Sequence, residues 1–376
     1  MKYLVLIGDG MSDFPGKQNS ALKIAKTPNL DYLAQNGLCG WVSNIPPGMA
    51  PGSDVAAMSI LGVDPKKYYT GRGPLEAVSL GVNLKKGEVC FRCNLVSVKE
   101  ERMHSFTANH ISTKAAKQAI KKLNQELKHY GCKFHPGLSY RHLLVAKDKS
   151  LVKVKTTPPH DISGKKIAPY LPKNKFLKKI MEESRVILKG YPKASQVWLW
   201  GQGFSPSFKK FPKRGAMITA VHLLKGLAKA IGLKSIDVPG ATGYLDTNYE
   251  GKANWAIKAL KTKDIVFVHV ESPDEAGHEG NFKHKVKAIE DFDKKVVGTI
   301  LRKINNQKLK IKILILPDHP TPVSLMTHTS DPVPFVIYDN QKPRKGMLAY
   351  NEKAYKKAKL KVKRGHDLLK KHLLHI

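Results

Sequence analysis

Side chains of the kinds that bind divalent metal ions, together with one potential nucleophile, recur along the chain. They are Asp9, Ser53, Asp274, His278, Asp318, His319 and His328. Three of the aspartates follow apolar runs that predict strands, at residues 3–7, 265–270 and 311–316. Ligands of open α/β sheets gather at the carboxyl ends of strands, so we predict that these side chains share one site. Carboxylates and imidazoles divided between two centres suit Mn²⁺ or Zn²⁺, with Ser53 as a metal-bound nucleophile for phosphoryl transfer.

The spacing within this set supports shared metal ions. Asp274 and His278 are four residues apart, which places both on one face of a helical turn and lets them reach a single ion. Asp318 and His319 directly follow a predicted strand, and His328 comes nine residues later. Capping carboxylates and hydrogen-bonded core histidines are the alternative interpretation. That alternative explains any one of these residues better than it explains the whole set.

Ser53 is predicted to lie where a loop becomes a helix. It follows a loop rich in proline and glycine at residues 46–52, and residues 54–61 have helical spacing. The amino end of a helix carries partial positive charge and favours a phosphate. The position of Ser53 therefore agrees with a role at a phosphoryl group.

Composition is typical of a folded globular protein. The chain has 376 residues, of which 41% are hydrophobic. It contains no apolar run near the roughly 18 residues that a membrane span needs. Its first apolar run predicts a strand rather than a signal peptide, so we predict a cytoplasmic enzyme. Cys90 and Cys93 form a single CxxC pair without the second pair that a structural zinc site requires, and the four cysteines do not predict a disulfide framework.

The positive charge is large and dispersed. The formal net charge is +35, and the lysines occur mostly as singles and pairs on predicted helical faces. No recognition helix, RNA-binding motif or zinc finger accompanies them, so we predict no specific nucleic-acid partner. A solvated lysine-rich surface is the favoured interpretation. Attraction of an anionic substrate and binding of a polyanion remain as alternatives.

The pattern of predicted elements divides the chain into two domains. Residues 1–83 and 194–376 are predicted to form an α/β core that carries the metal-binding residues. Residues 84–193 are predicted to form an inserted α+β domain. A strand at residues 197–200 is predicted to return to the core, residues 216–231 to form a helix, and residues 350–376 to form one or two basic amphipathic helices.

Long strings of this sequence resemble one known family. They are residues 8–11, 46–56, 69–76, 158–162, 198–203, 239–244, 273–278 and 317–322. They resemble the metal-dependent, cofactor-independent (2,3-bisphosphoglycerate-independent) phosphoglycerate mutases of the archaeal-type branch, within the alkaline-phosphatase superfamily. The resemblance implies an alkaline-phosphatase-like, mostly parallel sheet sandwiched by helices. It also implies that the inserted domain closes over the cleft and grips the carboxylate end of the substrate.

The resemblance further implies the chemistry. Interconversion of 3-phosphoglycerate and 2-phosphoglycerate in glycolysis would pass through a phosphoserine on Ser53. Two divalent ions, manganese or zinc, would be required. One ion would be held by Asp274, His278 and His328. The other would be held by Asp9, Ser53, Asp318 and His319.

Further residues are candidates for binding a small phosphorylated anion. They are Arg72, His104, Arg141, His160, Asp161, Arg214 and Lys225. Arg72 stands between two glycines soon after the nucleophile loop, where a guanidinium suits a phosphate or a carboxylate. By resemblance, Lys225 aligns with a family lysine near the transferred phosphate. Asp161 could exchange a proton with a substrate hydroxyl or could cap a helix.

One departure from the family pattern leaves the substrate open. Where archaeal mutases tend to have Ala-Gly-Arg-Ile, this chain has Ala-Asn-His-Ile at residues 108–111. A bacterial subgroup with this histidine has been suspected of phosphorylating homoserine. That activity and phosphomonoester or phosphodiester hydrolysis are the alternatives to mutase activity. No GxxxxGK[ST] motif for nucleotide phosphates occurs in the chain. The oligomeric state is left open.

Overall fold

The computed structural model describes residues 1–14, 19–191 and 193–375. The chain forms two compact units. The large unit consists of Met1–Tyr69 and Phe208–Ile376, and the small unit consists of Thr70–Ser207. Among the described residues, no helix combines the length and the apolar composition that crossing a bilayer would require.

The described residues form both strands and helices. The strands are β1 (Lys2–Gly8), β2 (Leu38–Val42), β3 (Val89–Lys99), β4 (Arg102–Ser105), β5 (Cys132–His135), β6 (Arg141–Ala146), β7 (Gln196–Gly203), β8 (Gly215–Ile218), β9 (Lys234–Ile236), β10 (Ile265–Val270), β11 (Ile311–Leu316), β12 (Val333–Asp339) and β13 (Leu360–Val362). The α-helices are α1 (Ala21–Ile24), α2 (Pro28–Gln35), α3 (Ser53–Ile60), α4 (Pro65–Tyr68), α5 (Arg72–Ser79), α6 (Thr113–Glu126), α7 (Lys175–Ile187), α8 (His222–Ala230), α9 (Tyr249–Leu260), α10 (Ser272–His278), α11 (Phe282–Asp291), α12 (Gly298–Asn306), α13 (Glu352–Tyr355) and α14 (Gly365–Asp367). Short 3-10 segments lie at Lys128–Tyr130, Lys149–Lys153, Pro159–Ile162 and Ala168–Tyr170, and π-helical segments at Phe292–Val297 and Leu368–Leu374.

The large unit is built on an eight-stranded sheet in the order β13-β2-β12-β11-β1-β10-β8-β9. All its strand pairs are parallel except those that β12 makes with β11 and β2. β1 lies between β10 and β11, so Tyr3 pairs with Ile265 on one side and with Lys312 on the other. Because β1, β2, β8, β10 and β11 run in the same direction, their carboxyl ends lie along one edge of the sheet.

Apolar runs explain why these central strands are buried. β10 is buried at every position, as expected for a parallel strand covered on both faces. On one face of the sheet, Leu4 and Leu6 of β1 belong to the same buried cluster as Ile257 of α9 and Ile300 of α12. Burial of such side chains stabilises the fold by about 25 cal/mol per Å² of apolar surface removed from water. It also fixes the register of the strands, because a shift by one residue would expose the buried side chains.

The small unit has its own antiparallel sheet and core. β3 pairs with β6 and β4, and it also pairs with β7. Phe91 of β3 belongs to a buried cluster that includes Ile120 of α6 and Ile180 of α7. Two of the packed elements lie outside residues 84–193, the predicted inserted domain. They are α5, whose Gly73 approaches the backbone of Cys90, and β7, which carries residues 197–200.

The predicted strand at 197–200 therefore exists, but it does not return to the core sheet. Its backbone hydrogen-bonds to β3, and Trp198 lies opposite Asn94 in the register. The structure accordingly divides the chain at residues 69/70 and 207/208 instead of 83/84 and 193/194. An apolar strand sequence specifies burial but not the partner strand, which is why the sequence suggested the other sheet.

Two further element predictions were wrong. The predicted helix at 216–231 is a buried strand, β8, followed by a shorter helix, α8. The tail at 350–376, whose last residue lies outside the described part, contains β13, which adds a parallel strand beside β2. In both cases a neighbouring strand of the sheet offers backbone partners that a helical pattern in the sequence cannot show.

The small unit is expected to become less stable at acidic pH because of His142. This side chain is fully buried on β6 and its Nδ1 accepts a hydrogen bond from Gly137 N at 3.0 Å. Burial lowers the pKa of His142 to about 3. Below a pH of about 6.5 the unfolded chain binds a proton at this histidine that the folded chain does not bind. The stabilisation that the neutral imidazole contributes is therefore complete above a pH of about 6.5. It is lost as the pH falls towards the pKa that His142 has in the folded protein.

Thermal unfolding of His142→Asn between pH 7.5 and pH 4.5 tests this expectation. Asparagine keeps an acceptor for Gly137 but does not titrate, so its stability should fall less steeply than that of the wild type. The difference should approach about 1.4 kcal/mol per pH unit below pH 6.5. His129→Asn, at an exposed histidine of the same unit, should keep the wild-type slope. Equal slopes in all three proteins would contradict the assignment.

Candidate active site

The predicted metal-binding residues all belong to the large unit and lie at one edge of its sheet. Asp9 follows β1, and Asp318 and His319 follow β11. Asp274 and His278 lie on α10, which begins just after β10. The loop after β2 leads to Ser53, the first residue of α3, and His328 precedes β12. The parallel strand order thus brings these distant parts of the chain together.

One group of these side chains surrounds the imidazole of His319. Its Nε2 lies 3.1 Å from Asp318 Oδ2, 3.2 Å from Ser53 Oγ and 3.7 Å from Asp9 Oδ1. His319 and both aspartates are almost completely buried, whereas Ser53 is half-buried. A hydroxyl, an imidazole and two carboxylates therefore meet within bonding reach of a common point.

A second group surrounds Asp274. Its Oδ2 lies 3.2 Å from His278 Nε2, and its Oδ1 lies 3.5 Å from His328 Nε2. The two Nε2 atoms are only 2.8 Å apart. His278 Nδ1 lies 3.0 Å from the carbonyl oxygen of Met326, which suits an Nδ1–H donor, so the lone pair is on Nε2 whenever the ring is neutral. Two imidazole nitrogens and a carboxylate thus converge in the manner of a metal-ligand set.

The backbone around Gly10 makes the approach of the two groups possible. Gly10 N donates a hydrogen bond to Asp318 Oδ1 at 3.0 Å, and His319 N donates to the same oxygen at 2.8 Å. Gly10 has a φ of +58°, and a Cβ at this position would lie 2.5 Å from Asp274 Oδ1 and from Thr321 Oγ1. Only glycine satisfies both the left-handed backbone and the lack of space.

The donor atoms fit divalent cations. Asp9 Oδ1 and Asp318 Oδ2 are buried without a hydrogen-bond partner among the described residues. Leaving buried carboxylate oxygens unpaired is costly unless a cation binds them. Three sets of ligand atoms lie within 4.8 Å of one another: Asp274 with His278 and His328, Asp9 with Asp274 and His319, and Asp9 with His269 and Asp318. Carboxylate and imidazole donors of this kind suit Mn²⁺ and Zn²⁺.

Electrostatics at the site also favour a bound positive charge. Burial, together with the charges of Asp318 and Asp274, raises the pKa of Asp9 well above its usual range. Burial opposes ionisation of Asp274 too, but hydrogen bonds from His278 and His328 hold the pKa of Asp274 well below its usual value. Despite partial burial, Asp274 raises the pKa of His278 to about 9. The protein alone leaves part of this negative charge uncompensated.

The sequence interpretation missed several buried polar residues beside the metal-ligand candidates. Thr321 Oγ1 donates a hydrogen bond to Asp274 Oδ1 at 2.5 Å. His269 Nε2 lies 3.2 Å from Asp9 Oδ2. On its other side His269 contacts Glu271, which forms an ion pair with Lys252. A signal existed for His269, because a histidine interrupts the apolar run of β10. Lys252 carried no signal, since it is one of many lysines in a helical pattern.

The two basic residues of the large unit that were predicted to bind substrate, Lys225 and Arg214, lie near opposite ends of the strand β8. Lys225 on α8 is half-buried, and its Nζ lies 2.6 Å from Asp237 Oδ1. Arg214 immediately precedes β8 and forms an exposed ion pair with Asp264, which precedes β10. The amino ends of these parallel strands lie opposite the candidate active site. The proposed substrate role of Arg214 was therefore wrong, because the residue lies on the other edge of the sheet.

In the small unit, cationic side chains gather around Trp200. The Cζ atoms of Arg72 and Arg92 lie 5.7 Å and 5.2 Å from the centre of its ring. The ring of His160 lies 5.4 Å from the same indole. Glu76 pairs with both arginines. Arg72 and His160 were predicted as substrate-binding residues, whereas Arg92, buried within β3, was not recognised.

The remaining predicted substrate-binding residues are exposed on the small unit. Asp161 Oδ1 lies 3.5 Å from His160 Nε2. Arg141 lies at the start of β6 with its guanidinium 4.9 Å from the ring of Tyr140, and His104 is exposed on β4. The structure thus brings His160 and Arg72 against the same indole, that of Trp200, with Asp161 beside His160.

Comparison with known proteins agrees with this fold. A family model described as 2,3-bisphosphoglycerate-independent phosphoglycerate mutase matches residues 34–193. The chain is 48% identical to the protein of that name from Methanosarcina barkeri, with 98% of each chain covered. It is 43% identical to a protein from Geobacter sulfurreducens named as a probable enzyme of the same kind, again with 98% of each chain covered.

Solved structures show the same similarity. A protein from Pyrococcus horikoshii matches with a TM-score of 0.79 and 29% identity, covering 98% of this chain and 95% of that one. The cofactor-independent phosphoglycerate mutase from Thermoplasma acidophilum matches with a TM-score of 0.64 and 25% identity, covering 98% and 99%.

The fold is therefore of the predicted α/β class and is shared with a solved cofactor-independent phosphoglycerate mutase, with a mostly parallel sheet whose carboxyl edge carries the candidate metal ligands. Within that class, the chain belongs to the family of 2,3-bisphosphoglycerate-independent phosphoglycerate mutases. The family resemblance stated from the sequence strings is confirmed.

Replacing Gly10 by alanine should destabilise the large unit. The new Cβ would press against Asp274 Oδ1 while the backbone keeps a positive φ, so we expect a loss of about 2–4 kcal/mol in the free energy of unfolding. Gly240→Ala is the matched control, because Gly240 has a φ of +73° but its nearest neighbour would lie 3.5 Å from a new Cβ. Thermal unfolding of both variants without metal measures the difference. Equal losses of stability in Gly10→Ala and Gly240→Ala would show that a Cβ can be accommodated at Gly10.

Proposed function

We propose that this chain interconverts 3-phosphoglycerate and 2-phosphoglycerate in glycolysis, through a phosphoserine on Ser53. The observation that carries the proposal is the position of the Ser53 hydroxyl, 3.2 Å from His319 Nε2 in the group that also contains Asp9 and Asp318. The names of the relatives support the substrate, since those proteins are named as phosphoglycerate mutases. A cytoplasmic location and a small phosphorylated anion as the partner remain part of this proposal.

Ser53 is well placed to receive a phosphoryl group. It is the first residue of α3, so its hydroxyl lies near the backbone N–H groups at the positive end of that helix. Gly52 precedes it in an extended conformation, and a Cβ there would meet little besides Asp54 Oδ1. Ser53 is partly exposed, which leaves its side chain within reach of a substrate.

Two divalent cations, manganese or zinc, fit the two groups of ligands. Asp274, His278 and His328 would hold one ion, and Asp9, Ser53, Asp318 and His319 would hold the other. When bound, such ions lower the pKa of a serine hydroxyl and neutralise the oxygens of a phosphoryl group. The buried, unpaired oxygens of Asp9 and Asp318 are the structural support for this assignment.

The proposed reaction conserves atoms without using water. In the first half, Ser53 Oγ forms a bond to phosphorus and the bond from phosphorus to the C3 oxygen of the substrate breaks. In the second half, the C2 oxygen of the retained glycerate forms the new bond and the bond to Ser53 breaks. One glycerate hydroxyl gains a proton and the other loses one, so His160 and Asp161 are proposed to exchange that proton.

Several basic side chains are proposed to bind the anionic groups of the substrate. Lys225 is proposed to lie near the transferred phosphate, as the resemblance implies. Arg72, His104 and Arg141 are proposed to bind the carboxylate or phosphate of the substrate. Arg72 is supported by its contacts, because Trp200 and Glu76 hold its guanidinium in a defined orientation.

The central test is an assay of metal-loaded protein on 3-phosphoglycerate. With Mn²⁺ the wild type should form 2-phosphoglycerate, and EDTA should abolish the activity. Ser53→Ala should lower kcat by at least about a thousandfold, since it removes the nucleophile. Ser235→Ala, a half-buried serine on the edge strand β9, should retain activity. Full activity of Ser53→Ala would reject the phosphoserine.

The same assay separates the alternatives. Metal-dependent release of inorganic phosphate without 2-phosphoglycerate would indicate a hydrolase. Phosphorylation of homoserine from ATP, with no reaction on phosphoglycerate, would indicate a kinase-like transferase. The Asn-His pair at residues 109–110 motivates that second assay, and both residues have a positive φ, as does Ala108. This backbone would suit the glycine that archaeal mutases tend to have there.

Replacing Arg72 by lysine should weaken substrate binding. Lysine keeps the charge but loses the planar fork and the face that stacks on Trp200. We expect KM for 3-phosphoglycerate to rise by about tenfold, with a smaller change in kcat. Arg102→Lys, at an exposed arginine of the same unit, is the control and should leave KM unchanged. An unchanged KM in Arg72→Lys would remove Arg72 from the substrate-binding set.

A further inference from the structure

The two oxygens of the Asp9 carboxylate face different partners. Oδ1 lies 3.7 Å from His319 Nε2 and has no hydrogen-bond donor among the described residues. Oδ2 lies 3.2 Å from His269 Nε2. One oxygen is therefore directed towards the proposed metal ligands, and the other towards a histidine that the proposed reaction does not use.

His269 is held in turn from its other side. Its Nδ1 lies 3.2 Å from Glu271 Oε1 and 3.4 Å from Thr219 Oγ1. Lys252 Nζ donates hydrogen bonds to Glu271 Oε2 at 2.5 Å and to the carbonyl oxygen of His269 at 3.0 Å. His269, Glu271 and Lys252 are 1%, 2% and 0% exposed, so water does not compete for these contacts.

This network also connects the ends of neighbouring strands. Glu271 Oε1 accepts hydrogen bonds from Thr219 Oγ1 at 2.9 Å and from Ala220 N at 2.7 Å, both just beyond β8. It therefore extends from α9 and β8 through β10 to the residue that follows β1. His269 Nε2 makes no hydrogen bond of ordinary geometry among the described residues. Both of its ring nitrogens nevertheless lie 3.2 Å from a carboxylate oxygen, and these two contacts fix the direction in which the imidazole faces.

Stability of the fold does not by itself explain such a network. Desolvation of a buried ion pair such as Lys252–Glu271 costs about as much as its attraction returns, and apolar residues of equal volume often stabilise a core as well. What a charged and hydrogen-bonded network adds is orientation. At this place the oriented group is the imidazole beside Asp9.

We propose that His269 is a positioning residue that orients Asp9 so that Oδ1 faces the divalent cation, and that Glu271 and Lys252 fix His269. The inference rests on the proposed metal centre. Hydrogen-bonding partners of metal ligands typically contribute about 10–100-fold to metal affinity. Loss of His269 should free the Asp9 side chain to rotate and should weaken binding of the cation without removing a ligand.

The test compares Mn²⁺ binding to metal-free variants. Calorimetric titration gives the affinity, and metal analysis at saturation gives the number of ions per chain. His269→Leu should lower the affinity for Mn²⁺ of the tightest affected site by about 10–100-fold. The number of ions bound per chain should stay the same. His269→Gln, whose amide can donate to Asp9 Oδ2, should retain affinity within about tenfold of the wild type.

The matched control is Phe267→Leu, on the same strand and equally buried. It should lower the thermal unfolding midpoint but leave the affinity for Mn²⁺ unchanged, which separates loss of packing from loss of positioning. If His269→Leu fails to fold, the double variant Lys252→Met with Glu271→Gln replaces it. This variant removes both charges of the buried pair together, and it should weaken Mn²⁺ binding in the same direction.

The outcomes are distinguishable. No uptake of divalent cations by the wild type would reject the metal centre itself. Wild-type affinity in His269→Leu, or in the double variant if that protein is used, would reject the positioning role while leaving the centre intact. Fewer ions at saturation in both His269 variants would show that His269 Nε2 is itself a ligand with Asp9 and Asp318, which would also overturn the proposal.

Discussion

Concentration of buried negative charge at one edge of the large sheet is the constraint on which the site depends. Asp9, Asp274 and Asp318 are each less than a tenth exposed. Asp9 and Asp318 lie within reach of His319, and Asp274 lies within reach of His328. Charges of one sign in a poorly solvated place repel strongly, and removing them from water is costly. Such an arrangement requires positive charge or hydrogen-bond donors from many directions.

The surrounding structure meets that requirement with several different groups. Backbone N–H groups of Gly10 and His319 bind one oxygen of Asp318. His278 and His328 flank Asp274, and Thr321 donates to it. Within the described part of the chain, one oxygen each of Asp9 and Asp318 still has no hydrogen-bond partner. The unpaired oxygens lie where the nucleophile candidate lies, so charge compensation and the proposed chemistry concern the same place.

The sequence was sufficient to predict the metal-ligand candidates and the type of fold, but not the full set of buried polar groups. Asp9 and Asp318 were recognisable because each follows an apolar run, and parallel strands place such residues at a common edge. Glu271 and Lys252 were not recognisable, since burial of a charged residue depends on tertiary packing. The same limitation explains the assignment of β7 and β8: local patterns identify apolar segments, whereas the partner strand is determined by long-range contacts.

The sequence positions of the paired strands constrain the order in which the chain can fold during synthesis. Among the described strands, β1 pairs only with β10 and β11, whose residues lie between 265 and 316. These partners of the first strand are synthesised only when most of the chain exists. The small unit is one continuous segment, residues 70–207, with its own core. On the ribosome the small unit can therefore fold while β1 and β2 still lack their partner strands. The amino-terminal strands must remain soluble during that interval, and short strands of five to seven residues limit their tendency to aggregate.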